Sequence, residues 1–240
     1  MNLRTIALSA IALTASVAAW AEAPLTDWYP VTAENRPFVR WWWHGSAVDS
    51  VGLTYNLEEF ARQGLGGVEI TPIYGVKKNE SNDIPYLSDR WMDMLGHTVS
   101  EANRLGLQID MNNGTGWPFG GPEVTPEYSA RKLVTTKWTV APRQTLDIVL
   151  EQPAKQPDAT LQRVIAVSPT RSEDITDKVK DGKLKWKAPK GEEWTVYAIY
   201  SGRTYQKVKR AAPGGEGLVI NHYDSIAVKH YLDRFDRAFA

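Results

Sequence analysis

Between Arg36 and Asn113 short stretches of strand-forming residues alternate with longer stretches whose apolar positions recur at helical spacing. "FVRWWWH" (38–44), "GVEITPI" (67–73) and "LQIDMNN" (107–113) are the strand-like pieces, rich in aromatic and β-branched residues. Leu53, Leu57, Phe60 and Ala61 share a helical stripe that Gly64 can stop. Ser88 stands as a cap ahead of a second stripe, Trp91, Leu95, Val99, Ala102 and Leu105, which ends at Gly106. This β-α-β-α-β order constrains the fold more than any other feature. Parallel strands need crossover connections, and the crossover helices must cover the sheet. The expected class is α/β.

From about Arg131 the helical period disappears. "KLVTTKWTV", "TLDIVL", "RVIAV", "LKWKA" and "WTVYAIYSG" are short, β-branched or aromatic, and separated by Pro, Gly, Asp and Lys clusters. That pattern predicts an inserted antiparallel, β-sandwich-like domain over 131–208. Beyond it, Asp224 caps a further helix with Ala227, Tyr231, Phe235 and Ala238 on one face. The expected architecture is a partial (β/α)8 TIM-type barrel, its first three βα units lying in 36–130 and its resumption in 209–240. A complete barrel takes about 250 residues without insertions, so an N-terminal fragment is expected. A complete three-stranded domain is the alternative, and it would leave a sheet edge bare.

The first 21 residues, "MNLRTIALSAIALTASVAAWA", read as a signal peptide, with basic Arg4, an apolar run from Ile6 to Val17 and small Ala19 and Ala21 before the cut. A linker over 22–35 follows, and the mature chain is expected to be periplasmic or secreted, with no membrane association after cleavage. Lys and Arg total 28, equal to Asp and Glu, which predicts no nucleic-acid partner. With no cysteine, disulfides, thiolate metal sites and a cysteine nucleophile are excluded. Ten Trp and ten Tyr remain to be placed. Flat rings with a polar tip suit either a Trp-rich core or a sugar-binding surface.

Strand parity divides these side chains. Val68 and Ile70 share the face that meets helices, which turns Glu69 and Thr71 inward. Leu107, Ile109 and Met111 likewise leave Gln108, Asp110 and Asn112 inside. In the first strand Val39, Trp41 and Trp43 go to the helices, and Arg40, Trp42 and His44 face the axis unless a bulge reverses them. Enzymes of this architecture work at the carboxyl ends of such strands. Buried carboxylates need partners. Either Arg40 pairs with Glu69, or Glu69 and Asp110 share a cation, or they take hydrogen bonds from sugar hydroxyls. Neighbouring strands lie about 4.8 Å apart, too close for an inverting acid and base at roughly 6.5–9.5 Å. "NNGTGWPFGGP" (112–122) then forms a loop carrying Trp117 and Phe119 over the same end. It lacks the Lys-Ser/Thr of a P-loop and the dinucleotide glycine pattern. A sugar-stacking loop or a structural turn remains.

"RPFVRWWWHGSAV", "LGGVEI", "NNGTGWPFGGP" and "GEGLVINHYDSIAVKHY" together resemble the N-terminal part of glycoside hydrolase family 106, the α-L-rhamnosidases, over roughly residues 34–240. The resemblance implies a large secreted enzyme with a (β/α)8 barrel and appended β-domains. It implies calcium dependence and inverting hydrolysis of terminal α-L-rhamnosyl groups from an oligosaccharide or polysaccharide. It also implies catalytic glutamates on strands beyond Ala240, so the fragment is expected to be inactive alone. What the chain retains is one cleft wall, Trp42, His44, Glu69, Asp110, Asn112, Asn113 and Trp117, with Glu69 and Asp110 as the candidate metal ligands. His44 departs from the family pattern, which more often has proline there. A carbohydrate-binding protein using Trp138, Trp186 and Trp194 of the sandwich is the alternative from another class, and a glycosidase for another deoxy sugar or a uronic acid is a third.

Overall fold

The computed structural model describes residues 30–240. The expected signal peptide and most of the linker lie outside the described residues. Among the described residues, no helix is long and apolar enough to cross a membrane.

The first part is a three-stranded parallel sheet in sequential order, β1 (Phe38–His44), β2 (Gly67–Ile73) and β3 (Gln108–Met111). α1 (Ser50–Arg62) joins the first pair and α2 (Asp89–Leu105) the second. Asp49 caps α1 by accepting from Gly52 N–H at 2.8 Å, and Ser88 caps α2 by accepting from Trp91 N–H at 3.4 Å. Gly106 ends α2 at φ 68°, a left-handed conformation that glycine adopts without penalty. The helices are neighbours: Arg104 of α2 reaches Glu58 of α1 at 2.8 Å, and Thr54 meets His97 at 2.9 Å.

Two apolar clusters lie between the sheet and its helices. One gathers Trp43, Leu53, Ile70, Trp91 and Leu95, and the other Leu57, Val68, Ala102 and Leu107. Val68 and Ile70 are fully buried, as alternation requires. Val99 is a correction: it was expected on the buried stripe but is 39% exposed, and Thr98 turns inward instead. Its hydroxyl donates to Met94 O at 2.7 Å, so a polar residue sits in the interface without an unpaired group. The third strand also stops at Met111, two residues short of the expected end.

The next stretch forms two antiparallel sheets. β5 (Arg131–Val140), β7 (Thr160–Val167), β8 (Ser172–Asp174) and β11 (Trp194–Arg203) make one, in the order β5-β11-β7-β8. β6 (Thr145–Val149), β9 (Val179–Lys180) and β10 (Lys183–Lys187) make the other. They share one core of Val140, Val164, Ile175, Leu184, Trp186, Trp194 and Val196. Trp186 and Trp194 pack edge to face at 5.5 Å inside it, and Trp138 is half-buried at its margin. These tryptophans are packing residues.

The chain then returns to the parallel sheet. β4 (Gly120–Gly121), in the glycine-rich loop, pairs with β12 (Leu218–Val219). α3 (Ser225–Phe239) follows, capped by Asp224, which accepts from Ile226 N–H at 3.0 Å. Phe235 of α3 packs against the same cluster as Ile109 and Met111, so all three helices cover one face of the sheet.

Candidate functional site

The other face carries the inward residues in rows. The parallel register pairs Arg40 with Glu69 and Glu69 with Asp110, so these three stand side by side on one face. One row nearer the carboxyl ends, Trp42 pairs with Thr71, and Asn112 continues the ladder by donating its N–H to Ile70 O at 3.0 Å. His44 lies one row further on, opposite Ile73.

Glu69 is held by Arg40, whose Nε and Nη2 approach Oε2 at 3.2 and 3.0 Å. Of the three alternatives for the carboxylates, this ion pair is the one formed. It is partly exposed, with the two side chains at 47% and 31%, so it orients groups more than it stabilises the fold. The Arg40 guanidinium also lies 5.6 Å from the Trp42 ring centre. The Asp110 carboxylate is exposed and makes neither an ion pair nor a hydrogen bond among the described residues. As arranged, Glu69 and Asp110 do not fit the expected calcium site. Ca2+ takes about six to eight oxygens, whereas one of these two carboxylates is already engaged with a guanidinium. Among the described residues, no three acidic or histidine side chains converge as metal ligands would.

Trp42 and Trp117 come together. Their rings meet edge to face at 5.8 Å, and they remain 42% and 38% exposed. Such large apolar surfaces left open at a strand end are available to a ligand. Behind them, Thr71 Oγ1 and Asn112 Oδ1 are buried with no hydrogen-bond partner among the described residues. Unpaired buried polar atoms are costly, and a polar ligand or water would satisfy them. His44 is exposed and meets Tyr74 edge to face at 5.8 Å. Among the described residues it makes no hydrogen bond or ion pair to an acidic partner that would make it a base.

Asn112 and Asn113 are fixed through their backbone carbonyls. Tyr86 Oη donates to Asn112 O at 3.3 Å, and Tyr231 Oη donates to Asn113 O at 2.7 Å. Arg234 packs beside both tyrosines and Phe235, at 5.3–6.0 Å from the three ring centres, and pairs with Glu123 at 3.1 Å. The sequence gives little signal of this cluster. Arg234 follows Tyr231 by three residues and so shares its face of α3, but its partners lie on distant segments.

Burial, the main cause, pushes the Tyr231 hydroxyl up to about 12 and raises that of Tyr86 in the same direction. In an unfolded chain both would ionise near pH 10. Above that pH the unfolded chain loses protons that the folded chain keeps, so stability present below about pH 10 declines towards about pH 12. Melting curves against pH should show this decline. Tyr231→Phe should remove part of it, together with the hydrogen bond to Asn113 worth about 1 kcal/mol.

Helices cover one face of the parallel sheet, and exposed rings stand beside carboxylate and amide groups on the other. Residues 30–165 match glycoside hydrolase family 106, described as alpha-L-rhamnosidase, over more than half of the chain, and the chain belongs to that family. A "Putative beta-glucuronidase" of Formosa agariphila is 25% identical over 245 residues, covering 83% of this chain and 21% of that protein. The structure of a rhamnosidase from Novosphingobium sp. PP1Y is similar at a TM-score of 0.58 and 16% identity, covering 87% of this chain and 37% of that one. That likeness concerns the fold. The chain therefore spans about a fifth of the curated relative and little more than a third of the solved one.

Proposed function

We propose that residues 36–130 and 209–240 form one wall of the substrate cleft of a secreted, (β/α)8-type glycoside hydrolase that releases terminal α-L-rhamnosyl groups with inversion. The observation that carries this is the exposed Trp42–Trp117 pair above the Arg40–Glu69–Asp110 row, at the carboxyl ends of parallel strands. A 6-deoxy sugar has an apolar edge, made by its methyl group and ring C–H bonds, and a hydroxyl edge. The indole rings would take the first. The Asp110 carboxylate, which has no partner among the described residues, and the Asn112 amide would take the second.

Glu69 positions Arg40 and through it Trp42. Adjacent strands place Glu69 and Asp110 closer than an inverting acid and base stand, so neither is assigned to the bond-breaking step. That step needs one carboxylic acid to protonate the leaving oxygen and a second carboxylate to activate water on the opposite face. No step is assigned to calcium.

Calorimetric titration with methyl α-L-rhamnopyranoside tests the cleft. Saturable binding is expected, with Trp42→Ala and Trp117→Ala each weakening it roughly three- to ten-fold. Unchanged affinity in both variants would remove the pair from the site. Inversion predicts β-L-rhamnose as the first-formed product of hydrolysis, which proton NMR distinguishes from the α anomer.

A further inference from the structure

Lys209 and Arg210 cross the rim beside Trp117 and Tyr74, and the backbone fixes them there. Trp117 N–H donates to Lys209 O at 2.9 Å, Lys209 N–H returns to Trp117 O at 2.8 Å, and Tyr74 N–H donates to Arg210 O at 3.1 Å. Val208 and Ala212, both buried, anchor the segment on either side. Gly116, at φ 72°, makes room for it, since a Cβ there would collide with the Lys209 carbonyl. Arg210 itself stands at φ 62°, and its guanidinium lies 5.8 Å from the Tyr74 ring centre.

Both side chains are exposed, and neither makes an ion pair among the described residues. In this they differ from Arg40, held by Glu69, and Arg234, held by Glu123. Glu216 accepts from Gly214 N–H at 2.9 Å, and the Asp83 carboxylate packs against Gly75 and Gly45 with its Oδ1 buried and unpaired among the described residues. Among the described residues, the rim of the cleft therefore presents an aromatic-backed guanidinium and an ammonium outside any ion pair.

We infer that this rim binds the carboxylate of a uronic acid unit in the glycan, next to the sugar held at Trp42 and Trp117. The inference rests on the cleft being a sugar site. A guanidinium fork meets a planar carboxylate through two parallel hydrogen bonds. Its stacking on Tyr74 and its fixed backbone lower the cost of ordering it. Lys209 adds a second positive charge, which a neutral deoxy sugar alone would leave unused. A sulfate ester is the other anionic group of comparable charge that a glycan carries, and the test separates the two.

The chain is titrated calorimetrically with a rhamnosyl–glucuronic acid disaccharide, its carboxyl-reduced neutral counterpart, and that neutral disaccharide carrying a sulfate ester. The acid is expected to bind about ten-fold more tightly than the reduced form, with the preference shrinking as salt is added. Arg210→Gln should bring the acid-to-neutral ratio close to one, and Arg210→Lys should keep part of it. Equal affinity of the unaltered chain for acid and reduced forms, or an unchanged ratio in Arg210→Gln, overturns the inference and leaves the sugar cleft standing. Tighter binding of the sulfated sugar than of the uronate overturns the carboxylate assignment. Absence of binding by all three overturns the cleft and the inference together.

Discussion

Replacing Glu123 by alanine is expected to destabilise the fold by about 3 kcal/mol. Its partner Arg234 is only 5% exposed and is surrounded by Tyr86, Tyr231 and Phe235. Without Glu123 that guanidinium keeps its full desolvation cost and loses the carboxylate that offsets it. The reverse substitution, Arg234→Met, should cost less. Glu123 is 26% exposed and can recover hydration, and the methionine stem retains much of the aromatic contact. Urea unfolding of the two variants measures the difference at equilibrium. A Glu123→Ala variant within about 0.5 kcal/mol of the parent, the range of ordinary surface changes, would show that the pair does not stabilise the fold. Because Tyr86 and Tyr231 in this cluster hold the carbonyls of Asn112 and Asn113, the same loss should loosen the loop that carries Trp117.

The buried tryptophans make the second large prediction. Trp91→Ala should cost about 3–5 kcal/mol. Trp91 is fully buried, its ring lies 5.6 Å from Trp43 and 4.9 Å from Tyr86, and its indole N–H donates to Ser46 Oγ at 3.0 Å. Truncation would leave a cavity at the centre of that packing and orphan a buried hydroxyl. Trp43→Ala should behave alike, since Trp43 is 1% exposed in the same cluster. Trp42→Ala, one residue earlier on the opposite face, should change stability by only about 1 kcal/mol. Thermal or denaturant unfolding of the three variants checks this alternation. Equal losses at Trp42 and Trp43 would contradict it.

The division of the tryptophan run was legible because a strand offers only two faces and Val68, Ile70, Ile109 and Met111 identify the oily one. The caps at Ser88 and Asp224 were legible for a similar reason: their side chains act within one turn of their own position. The partner of Glu69 was narrowed but not settled, because an ion pair, a cation and a sugar hydroxyl all satisfy an inward carboxylate. Val99 was misplaced because the helix turns its threonine inward, with the hydroxyl bonded to the preceding turn. Contacts across long sequence separations left no local signal. Tyr231 reaches Asn113 across 118 positions, and Lys209 reaches the backbone of Trp117 from beyond the antiparallel sheets. The orphaned oxygens of Thr71 and Asn112 depend on what surrounds them, which no short pattern encodes.

The sugar-facing role of the Trp42–Trp117 pair is tested most directly by following the indole N–H resonances by NMR as methyl α-L-rhamnopyranoside is added. Trp42 and Trp117 should shift with saturation, while Trp186 and Trp194, packed inside the antiparallel sheets, stay in place. Movement confined to Trp138, Trp186 and Trp194, with Trp42 and Trp117 unmoved, would contradict the account and put sugar binding on the β-sandwich instead.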